Sequence, residues 1–425
     1  MRMNANEIVI GIWILFVFLT GSCNKKVDLP PHNVILVAST VGSYEILNLS
    51  DYVTEIRYIP LESNDSALIS PINLKIIYEN GKILILDNTT DSKNNCYLFN
   101  NDGEFCCKIG QWGQGPDNYL LITDVSIHEN LIYLMAWYRI LIYDTNGRIV
   151  ENIHLQSDDM PVGFKESNLR SMIPLKKNVF IVNIVTNTRH YPTAFLFETN
   201  NSTVETIKEY PNSIKLDRLK PVFSTIESGV MYRYENEVRI YKPINDTIFT
   251  IDQNKEIKEN FIFELGKYKP TLSYFEWKEG GNDLRAYINF GRNFIIPVTI
   301  CESRHHLFIR FSFGNHTPEP YESFHLGQKI INNDVYSVFD KRTGELILMR
   351  QPIKGKLGFK NDFDNGPVIF PNYITSNNEL VTFMQPEEFL EYYALVENPS
   401  VELKNIADKI DIYDNLIVII AKLKD

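Results

Sequence analysis

The chain has 425 residues, with 42 Lys and Arg against 53 Asp and Glu, which gives a formal net charge of −11 at pH 7. This acidic balance argues against nucleic acid as a partner, because neutralising a phosphate backbone requires a basic surface. Hydrophobic residues make up 44% of the chain, which is enough for a folded core, and the 23 Tyr and 25 Phe favour β-strands.

The N-terminal residues predict an export signal. An apolar run over residues 8–19 follows Arg2 and is shorter than the roughly 20 residues of a membrane-spanning helix. It ends in Leu19-Thr20-Gly21-Ser22-Cys23, which resembles the lipobox of bacterial lipoproteins, where the cysteine is lipidated after cleavage. We therefore expect removal of residues 1–22, a lipid on Cys23 and a tether over residues 23–40. The alternative is an ordinary secretory signal with an incidental cysteine.

A lipid on Cys23 would attach the protein to a membrane of a bacterial cell envelope. Asn24-Lys25-Lys26 follows the cysteine without the acidic run that is associated with export to the cell surface. This favours the periplasmic face over the cell surface as the location of the protein.

Four further cysteines are present. Cys96 lies across a predicted hairpin turn from Cys106 and Cys107, and an oxidising compartment would permit a bridge to either of them. Free thiols are the outcome that we expect. Cys301 has no nearby partner in the sequence, and the chain contains no CxxC pair that would indicate a zinc or redox site.

One pattern repeats through the middle of the chain. It consists of an apolar strand that ends near an aromatic residue, a polar turn with Asn, Asp or Gly, and a second apolar strand. Clear copies cover residues 98–105, 142–149 and 338–346. The turn glycines Gly103 and Gly147 lie about 44 residues apart, and a recurrence of about 40 to 50 residues is typical of β-propeller blades.

The repeat predicts an all-β fold, a six-bladed β-propeller with short helical insertions. Five blades are expected at about 74–110, 121–155, 169–208, 223–264 and 294–350, and a sixth is expected from 365–383 with the terminal strand 415–424. The segment 44–61 is placed to add a strand to that last blade, so that the two chain ends close the ring. Helical patterns at 273–289 and 386–396 are predicted insertions. The whole of 41–425 is predicted as a single domain.

Several motifs resemble those of a known family. They are residues 59–62 (IPLE), 113–119 (GQGPDNY), 245–249 (NDTIF), 358–367 (GFKNDFDNGP) with Phe370-Pro371, and 415–424 (NLIVIIAKLK). From about residue 42 to its end, the chain is similar to six-bladed β-propeller lipoproteins of Bacteroidetes, a family of uncharacterised function that is distantly similar to NHL-repeat propellers. The resemblance implies the six-bladed fold. Asn118 and Asn365 stand where the family usually has Glu and Gly.

The glycine-rich loop at 110–115 superficially suggests phosphate binding. Gly113-Gln114-Gly115 is followed by Pro116 and lacks the third glycine and the helix start of a nucleotide-binding loop. We expect a rigid connection between blades, because Gly allows positive φ and Pro fixes the following turn. The alternative is that Gln114 and Tyr119 contribute to a binding rim.

A second candidate set is aromatic and cationic and consists of Trp112, which lies in that loop, with Trp137, Tyr138 and Arg139. Flat rings with polar tips and a nearby cation suit contacts with a glycan or a peptide. Packing between blades uses the same residue types, and we expect packing for Trp137.

Residues 361–366 (NDFDNG) concentrate the oxygen ligands that calcium prefers. The EF-hand pattern fails, because Phe363 falls at a ligand position and Asn372 falls where a bidentate Glu belongs. We expect an acidic turn closed by Asx hydrogen bonds, and the alternative is a polar or cation site at the propeller mouth.

No catalytic motif is present, and the eight histidines lack the spacing of a helical zinc site, so we assign no catalytic residue, metal or cofactor. The predicted function is an envelope-anchored, non-enzymatic binding module for a glycan, a peptide or a partner protein, with its site at the central mouth. The alternatives are a propeller lyase or hydrolase with groups drawn from separate blades, and a scaffold subunit of an envelope complex. The candidate ligand-binding residues are Trp112, Gln114, Tyr119, Tyr138, Arg139, Asn361, Asp362 and Asp364.

Overall fold

The computed structural model describes residues 33–70, 74–88, 94–136, 139–155, 167–186, 192–212, 229–276, 284–325 and 328–425. The predicted signal peptide, Cys23 and most of the predicted tether lie outside these residues. Within the described residues, no helix is both long enough and apolar enough to cross a membrane. The strands of the described chain form five sheets of four or more strands and two small sheets.

The described chain begins with strand β1 (Val34–Leu36), helix α1 (Val37–Thr40), strand β2 (Tyr44–Glu45) and strand β3 (Val53–Pro60). Residues 34–40, predicted as part of the tether, form β1 and α1 instead. The reason is the apolar run of these residues, since Ile35 and Val37 are fully buried in a core cluster.

Sheet I is an antiparallel meander in the order β4-β5-β6-β7. Its strands are β4 (Leu74–Glu79), β5 (Lys82–Asp87), β6 (Asn95–Asn100) and β7 (Phe105–Lys108). The middle strands are mostly buried on both faces, whereas β7 alternates between half-buried and exposed residues. Burial therefore falls toward the outer edge of the sheet. The next connection contains a short parallel pair, β8 (Gln111–Trp112) and β9 (Asn118–Tyr119).

Sheet II has eight strands in the order β10-β11-β12-β13-β17-β16-β15-β14. Its first half contains β10 (Asp124–His128), β11 (Leu131–Ala136), β12 (Arg139–Asp144) and β13 (Ile149–His154). Its second half contains β14 (Ser167–Lys176), β15 (Val179–Thr186), β16 (Ala194–Asn200) and β17 (Thr203–Tyr210). Each half is an antiparallel meander, and the pair His154 and Thr203 alone joins β13 to β17.

Sheet III extends a third meander with β1 at its outer edge, where Val34 lies opposite Ile262 in parallel. The meander strands are β18 (Val230–Tyr234), β19 (Glu237–Lys242), β20 (Thr247–Ile251) and β21 (Ile257–Glu264). Helices α2 (Leu272–Glu276) and α3 (Leu284–Gly291) follow and overlap the predicted helical insertion 273–289.

Sheet IV carries β2 at its outer edge in parallel with the last meander strand. The meander strands are β22 (Ile296–Glu302), β23 (His306–Ser312), β26 (Asp334–Asp340) and β27 (Glu345–Met349). A separate hairpin between β23 and β26 consists of β24 (Tyr321–His325) and β25 (Gln328–Asn332).

Sheet V contains both ends of the described chain, in the order β28-β29-β30-β3. Its C-terminal strands are β28 (Tyr373–Ile374), β29 (Glu379–Met384) and β30 (Ile417–Leu423). Strand β3 pairs antiparallel with β30 along its whole length, which confirms that the N-terminal segment closes the last sheet. Helices α4 (Pro386–Tyr393) and α5 (Val401–Ala407) lie between β29 and β30, and α4 falls within the predicted insertion 386–396.

The first strands of successive meanders, β4, β10, β14, β18, β22 and β28, lie against one another in that order. Between the last and the first of them, the Tyr373 hydroxyl donates to Glu79 Oε2 over 3.5 Å. At the outer side, Glu62 N donates to the carbonyl of Gly103 over 2.8 Å, which ties the end of β3 to sheet I. The result is an all-β, propeller-like arrangement.

The prediction of six separate blades differs from the observed strand pairing in one place. Hydrogen bonding joins the predicted blades 121–155 and 169–208 into the single sheet II. The physical reason is local: His154 N donates to Ser202 O over 3.2 Å, where two outer strands meet. The other predicted blade ranges each correspond to one sheet.

The described cysteines, Cys96, Cys106, Cys107 and Cys301, are free thiols. Cys96 is fully buried on β6, and burial raises the pKa of its thiol. A buried protonated thiol of this kind behaves as a small apolar core residue.

A buried ionic cluster joins sheet III to sheet IV. Glu302 Oε2 accepts hydrogen bonds from the Tyr232 hydroxyl and from Arg239 Nε, each over 3.1 Å. Glu302 Oε1 accepts from Lys341 Nζ over 3.0 Å. The Glu302 side chain is only 1% exposed, so its charge depends on these three donors.

Replacing Glu302 with Ala should lower the free energy of unfolding by about 3–5 kcal/mol, because the buried Lys341 would lose its carboxylate and Arg239 would keep only that of Glu237. Chemical denaturation of the two proteins measures the difference. Glu259→Ala removes an exposed carboxylate of β21 and is the matched control, with an expected change within about 0.5 kcal/mol. Equal losses for both variants would contradict the role assigned to Glu302.

Candidate functional site

The connection between sheets I and II is a compact turn. Gly113 N donates to Tyr119 O over 2.9 Å, and Trp112 lies opposite Tyr119 in the β8–β9 pair. Gly113 has a φ of +155°, and a Cβ at this position would lie 2.5 Å from the Asn118 amide nitrogen. Only glycine fits there without displacing Asn118.

Arg139 and Tyr119 hold this turn in place on the side that faces the rest of the protein. Arg139 NH1 and NH2 donate to the carbonyls of Pro116 and Asn118 over 2.8 and 2.6 Å. Tyr119 is fully buried, its hydroxyl donates to Asn94 O over 3.1 Å, and burial raises its pKa. Both candidates therefore hold backbone in place, and Tyr119 has no surface for a ligand.

Trp112 and Gln114 lie on the solvent side of the same turn. The Trp112 side chain is 44% exposed, and Gln114 is exposed as well. Tyr138 and its neighbour Trp137 lie outside the described residues. A role of Trp112, Gln114 or Tyr138 in binding stays a prediction.

The acidic segment 361–366 lies in the connection that leads into sheet V, in a different part of the fold. Asn361 is buried, and its Nδ2 donates to the Tyr58 hydroxyl over 3.1 Å, while that hydroxyl donates to Asp364 Oδ1 over 3.2 Å. Gly366 N also donates to Asp364 Oδ1, over 2.9 Å. These contacts are those of a turn closed by side-chain hydrogen bonds and anchored on strand β3.

The two carboxylates of the segment are held differently. Burial raises the pKa of Asp364, and the Tyr58 hydrogen bond partly offsets this effect. The Asp362 carboxylate is exposed and accepts from Ser50 N and Ser50 Oγ over 2.9 and 2.7 Å. Among the described residues, no group of three or more His, Cys, Asp or Glu side chains is placed to hold a metal ion.

A cavity of about 230 Å³ lies between sheets IV and V. Thr299 on β22, Arg310 on β23 and Tyr336 on β26 are direct cross-strand neighbours and line it from sheet IV. Phe370 and Asn372, which precede β28, line it from sheet V. We call this cavity the Arg310 cleft.

Two charged side chains line the cleft, the Arg310 guanidinium and the Glu388 carboxylate of α4. Arg310 Nε is buried, and no hydrogen-bond partner for it occurs in the described part of the chain. The Asp334 carboxylate lies 3.8 Å from this nitrogen. Burial raises the pKa of Asp334, and the Arg310 charge partly offsets this effect. The Arg310 side chain is 38% exposed, so solvent and ligands reach the rest of it.

Aromatic and amide groups complete the cleft. The rings of Tyr336 and Phe370 pack with their centroids 4.3 Å apart. Thr382 Oγ1 donates to Asn372 Oδ1 over 2.6 Å. This hydrogen bond fixes the orientation of the Asn372 amide group. The cleft therefore combines a cation, hydroxyl groups, an amide and an aromatic wall.

The Arg310 cleft was not predicted from the sequence. Thr299, Arg310 and Tyr336 are far apart in the sequence and meet only through the register of sheet IV. Phe370 was the single available signal, since Phe370-Pro371 belongs to the motifs that carry the family resemblance.

A second group of polar residues lies where the first strands meet, and we call it the central polar cluster. Glu79 at the end of β4 accepts from the Tyr373 hydroxyl, from Ser376 N and from Ser376 Oγ. Arg233 on β18 has a buried NH2 group without a hydrogen-bond partner among the described residues. Burial, followed by the Arg233 charge, lowers the pKa of His128 to about 4. Sheets I, II, III and V all contribute to this cluster.

Comparison with known proteins establishes the family. Residues 32–422 match the family described as "Domain of unknown function (DUF4934)". The chain belongs to this family. A search of the curated proteins finds no match.

Several solved structures match this chain, among them two from Bacteroides. The crystal structure of the "Putative exported protein (BF0058)" from Bacteroides fragilis NCTC 9343 has a TM-score of 0.64 and 19% identity, and the match covers 92% of this chain and 100% of that chain. A DUF4221 family member from Bacteroides vulgatus ATCC 8482 has a TM-score of 0.49 and 13% identity, with 90% and 99% coverage. Virginiamycin B lyase from Staphylococcus aureus has a TM-score of 0.38 and 12% identity, with 77% and 80% coverage.

Proposed function

We propose that this protein is a non-enzymatic binding module of the cell envelope, and that the Arg310 cleft binds part of a glycan, a peptide or a partner protein. The observation that carries the proposal is the combination of a partly exposed guanidinium and an aromatic wall in one cavity. Aromatic walls with a few placed polar groups are typical of ligand sites. At about 230 Å³ the cavity is smaller than the roughly 300–1,000 Å³ of drug-sized sites, which suits one residue of a longer ligand.

We also propose that the sheets form a closed six-bladed propeller, with the two halves of sheet II as separate blades. The contacts between consecutive first strands and the single pair that joins β13 to β17 support this arrangement. In such a ring the Arg310 cleft lies between two neighbouring blades, because Thr299, Arg310 and Tyr336 come from three neighbouring strands of sheet IV and face sheet V.

The envelope location is part of the same proposal. The lipobox-like Cys23 motif supports a lipid anchor, and the name of the similar BF0058 protein supports export. We propose attachment to the membrane through a lipid on Cys23, with the propeller on the periplasmic face.

One observation favours a second candidate function, a lyase or a hydrolase. The central polar cluster joins Glu79 and Tyr373 by a hydrogen bond and places His128 within the electrostatic influence of Arg233, and these residues come from separate sheets, as an axial active site would require. Arg233 lies in the same cluster and would stabilise negative charge during a reaction. If the protein binds a ligand and releases it unchanged, the binding module is supported. If the protein converts the ligand to a product, and the Glu79→Gln variant does not, the enzyme is supported.

Replacing Thr299 with Phe should fill the Arg310 cleft and weaken binding of its ligand by tenfold or more, at roughly 1.4 kcal/mol per factor of ten. The ligand would come from glycan-array and peptide screens of the full mature protein, and calorimetry would then measure its affinity. Thr206→Phe, which adds the same ring to an exposed position of β17, should leave binding unchanged. Equal affinities for Thr299→Phe and the unchanged protein would place the site elsewhere.

Replacing Cys23 with Ser should abolish incorporation of labelled palmitate and move the protein from the membrane fraction to the soluble fraction, because the lipid would be its only anchor. The unchanged protein, expressed in the same cells, is the control. A Cys23→Ser protein that stays with the membrane in high salt would contradict lipid anchoring.

A further inference from the structure

We propose that the helical insertion between β29 and β30 is a docking surface for a basic, amphipathic segment of a partner protein. Five exposed apolar side chains and the acidic residues around them form this surface, which we call the insertion surface. The five are Phe363, Leu395, Val401, Ile412 and Tyr413. Other residues line the Arg310 cleft, so this inference goes beyond the binding function proposed for the cleft.

The first argument is the exposure of apolar side chains in one short segment. Tyr413, Leu395 and Val401 are 86, 83 and 77% exposed, and every other large apolar side chain of the described chain is 61% exposed or less. Single exposed apolar residues are common on protein surfaces, whereas several of them in one place indicate an interaction site. The three most exposed ones all lie within residues 395–413.

Hydrogen bonds connect Phe363 and Leu395 across two segments of the chain. Asn365 Nδ2 donates to Asn398 O, and the Tyr392 hydroxyl donates to Asn365 O, each over 3.4 Å. These contacts hold the turn that contains Phe363 against the connection between α4 and α5, where Leu395 lies. The two apolar side chains therefore belong to one surface.

Helix α5 connects the rest of the surface. Val401 is its first residue, and Ile412 and Tyr413 lie in the turn that follows it. Ile410 N donates to Ile406 O over 3.2 Å, so the chain continues directly from the helix into that turn. A helix of seven residues is about 10 Å long, and a partner helix of about three to four turns is long enough to contact both of its ends.

The second argument is charge. Residues 386–414 contain eight Asp and Glu and two Lys, a formal charge of −6 (2 − 8), which is more than half of the −11 of the whole chain. Glu391, Glu397, Asp408 and Asp411 are exposed. Potentials of opposite sign attract across protein interfaces, so an apolar surface with acidic surroundings suits apolar side chains that are flanked by Lys or Arg.

The same charge disfavours two other occupants. A second copy of this chain would bring an identical surface of charge −6 against the first, and like charges across an interface are costly. An anionic lipid surface attracts basic segments and repels acidic ones. A basic protein segment satisfies both the apolar and the acidic residues of the insertion surface.

The test uses the full mature protein and two designed helical peptides of about four turns, each with Leu on one face. The other face carries Lys in the first peptide and Glu in the second. We expect the Lys peptide to bind at least about tenfold more tightly at low salt, as measured by fluorescence anisotropy. High salt should reduce this difference, because ions screen exposed charges.

A triple variant with Leu395→Ser, Val401→Ser and Tyr413→Ser should bind the Lys peptide about tenfold more weakly or worse, because it lacks the most exposed apolar contacts. The control variant makes the same change at three exposed apolar positions elsewhere, Val150, Leu272 and Ile331, and should keep the affinity of the unchanged protein. Circular dichroism and thermal unfolding report whether both variants are folded.

The charge is tested separately with Glu391→Gln combined with Glu397→Gln. This variant should weaken binding of the Lys peptide and reduce its salt dependence, since two exposed carboxylates are neutralised. Glu259→Gln combined with Glu345→Gln removes the same charge elsewhere and should change neither property.

Four outcomes would overturn the proposal. They are the absence of binding of the Lys peptide, equal affinities for the Lys and Glu peptides, equal affinities for the two folded serine variants, and equal effects of the two glutamine variants. Binding to vesicles of phosphatidylglycerol, or self-association, that the Leu395, Val401 and Tyr413 variant alone loses would replace the basic segment by a membrane or by a second copy of the chain.

Discussion

The pairing of β3 with β30 is the interaction on which the rest of the molecule depends. Strand β28 has only two paired residues, so without β3 sheet V would consist mainly of β29 and β30 with an open outer edge. Such an edge exposes unpaired backbone groups and promotes association with other chains. Because β3 comes from the opposite end of the described chain, closing this edge also holds the first and last sheets together.

The same strand organises the connection that carries one wall of the Arg310 cleft. The Tyr58 hydroxyl on β3 contacts Asn361 and Asp364, and Ser50, just before β3, binds Asp362. These contacts fix the segment that continues to Phe370 and Asn372. The residues upstream of β3 extend this role, since β1 and β2 cover the outer edges of sheets III and IV. The N-terminal segment therefore pairs with strands of three sheets, III, IV and V.

The sequence predicts the architecture better than the site for a physical reason. Strand pairs, turn glycines such as Gly103 and closure by the chain ends all follow from local patterns of apolar and turn residues, and the structure contains them. The prediction of a tether over residues 34–40 was wrong, because their apolar run packs against β21, a strand more than 200 residues away in the sequence. Sheet II forms one sheet because of a single contact between outer strands, which no local pattern reports.

Site residues depend on register, and register between distant strands is not visible in one sequence. Tyr119 and Arg139 were chosen for their chemistry, yet burial and backbone hydrogen bonds make them supports of a loop. Arg310 was not predicted as a site residue, because its neighbours Thr299 and Tyr336 come from other strands. The burial of Arg310 Nε without a hydrogen-bond partner among the described residues results from packing between strands.

Native-state hydrogen exchange tests the central claim, that β3 is an integral strand of the closed fold, most directly. If β3 closes the arrangement, the amides of Val53–Pro60 that pair with β30 should exchange with the same opening free energy as those of β11, which is paired on both sides in sheet II. Exchange of the β3 amides through a separate opening of much lower free energy would show that the rest of the protein is stable without β3, and would contradict this account.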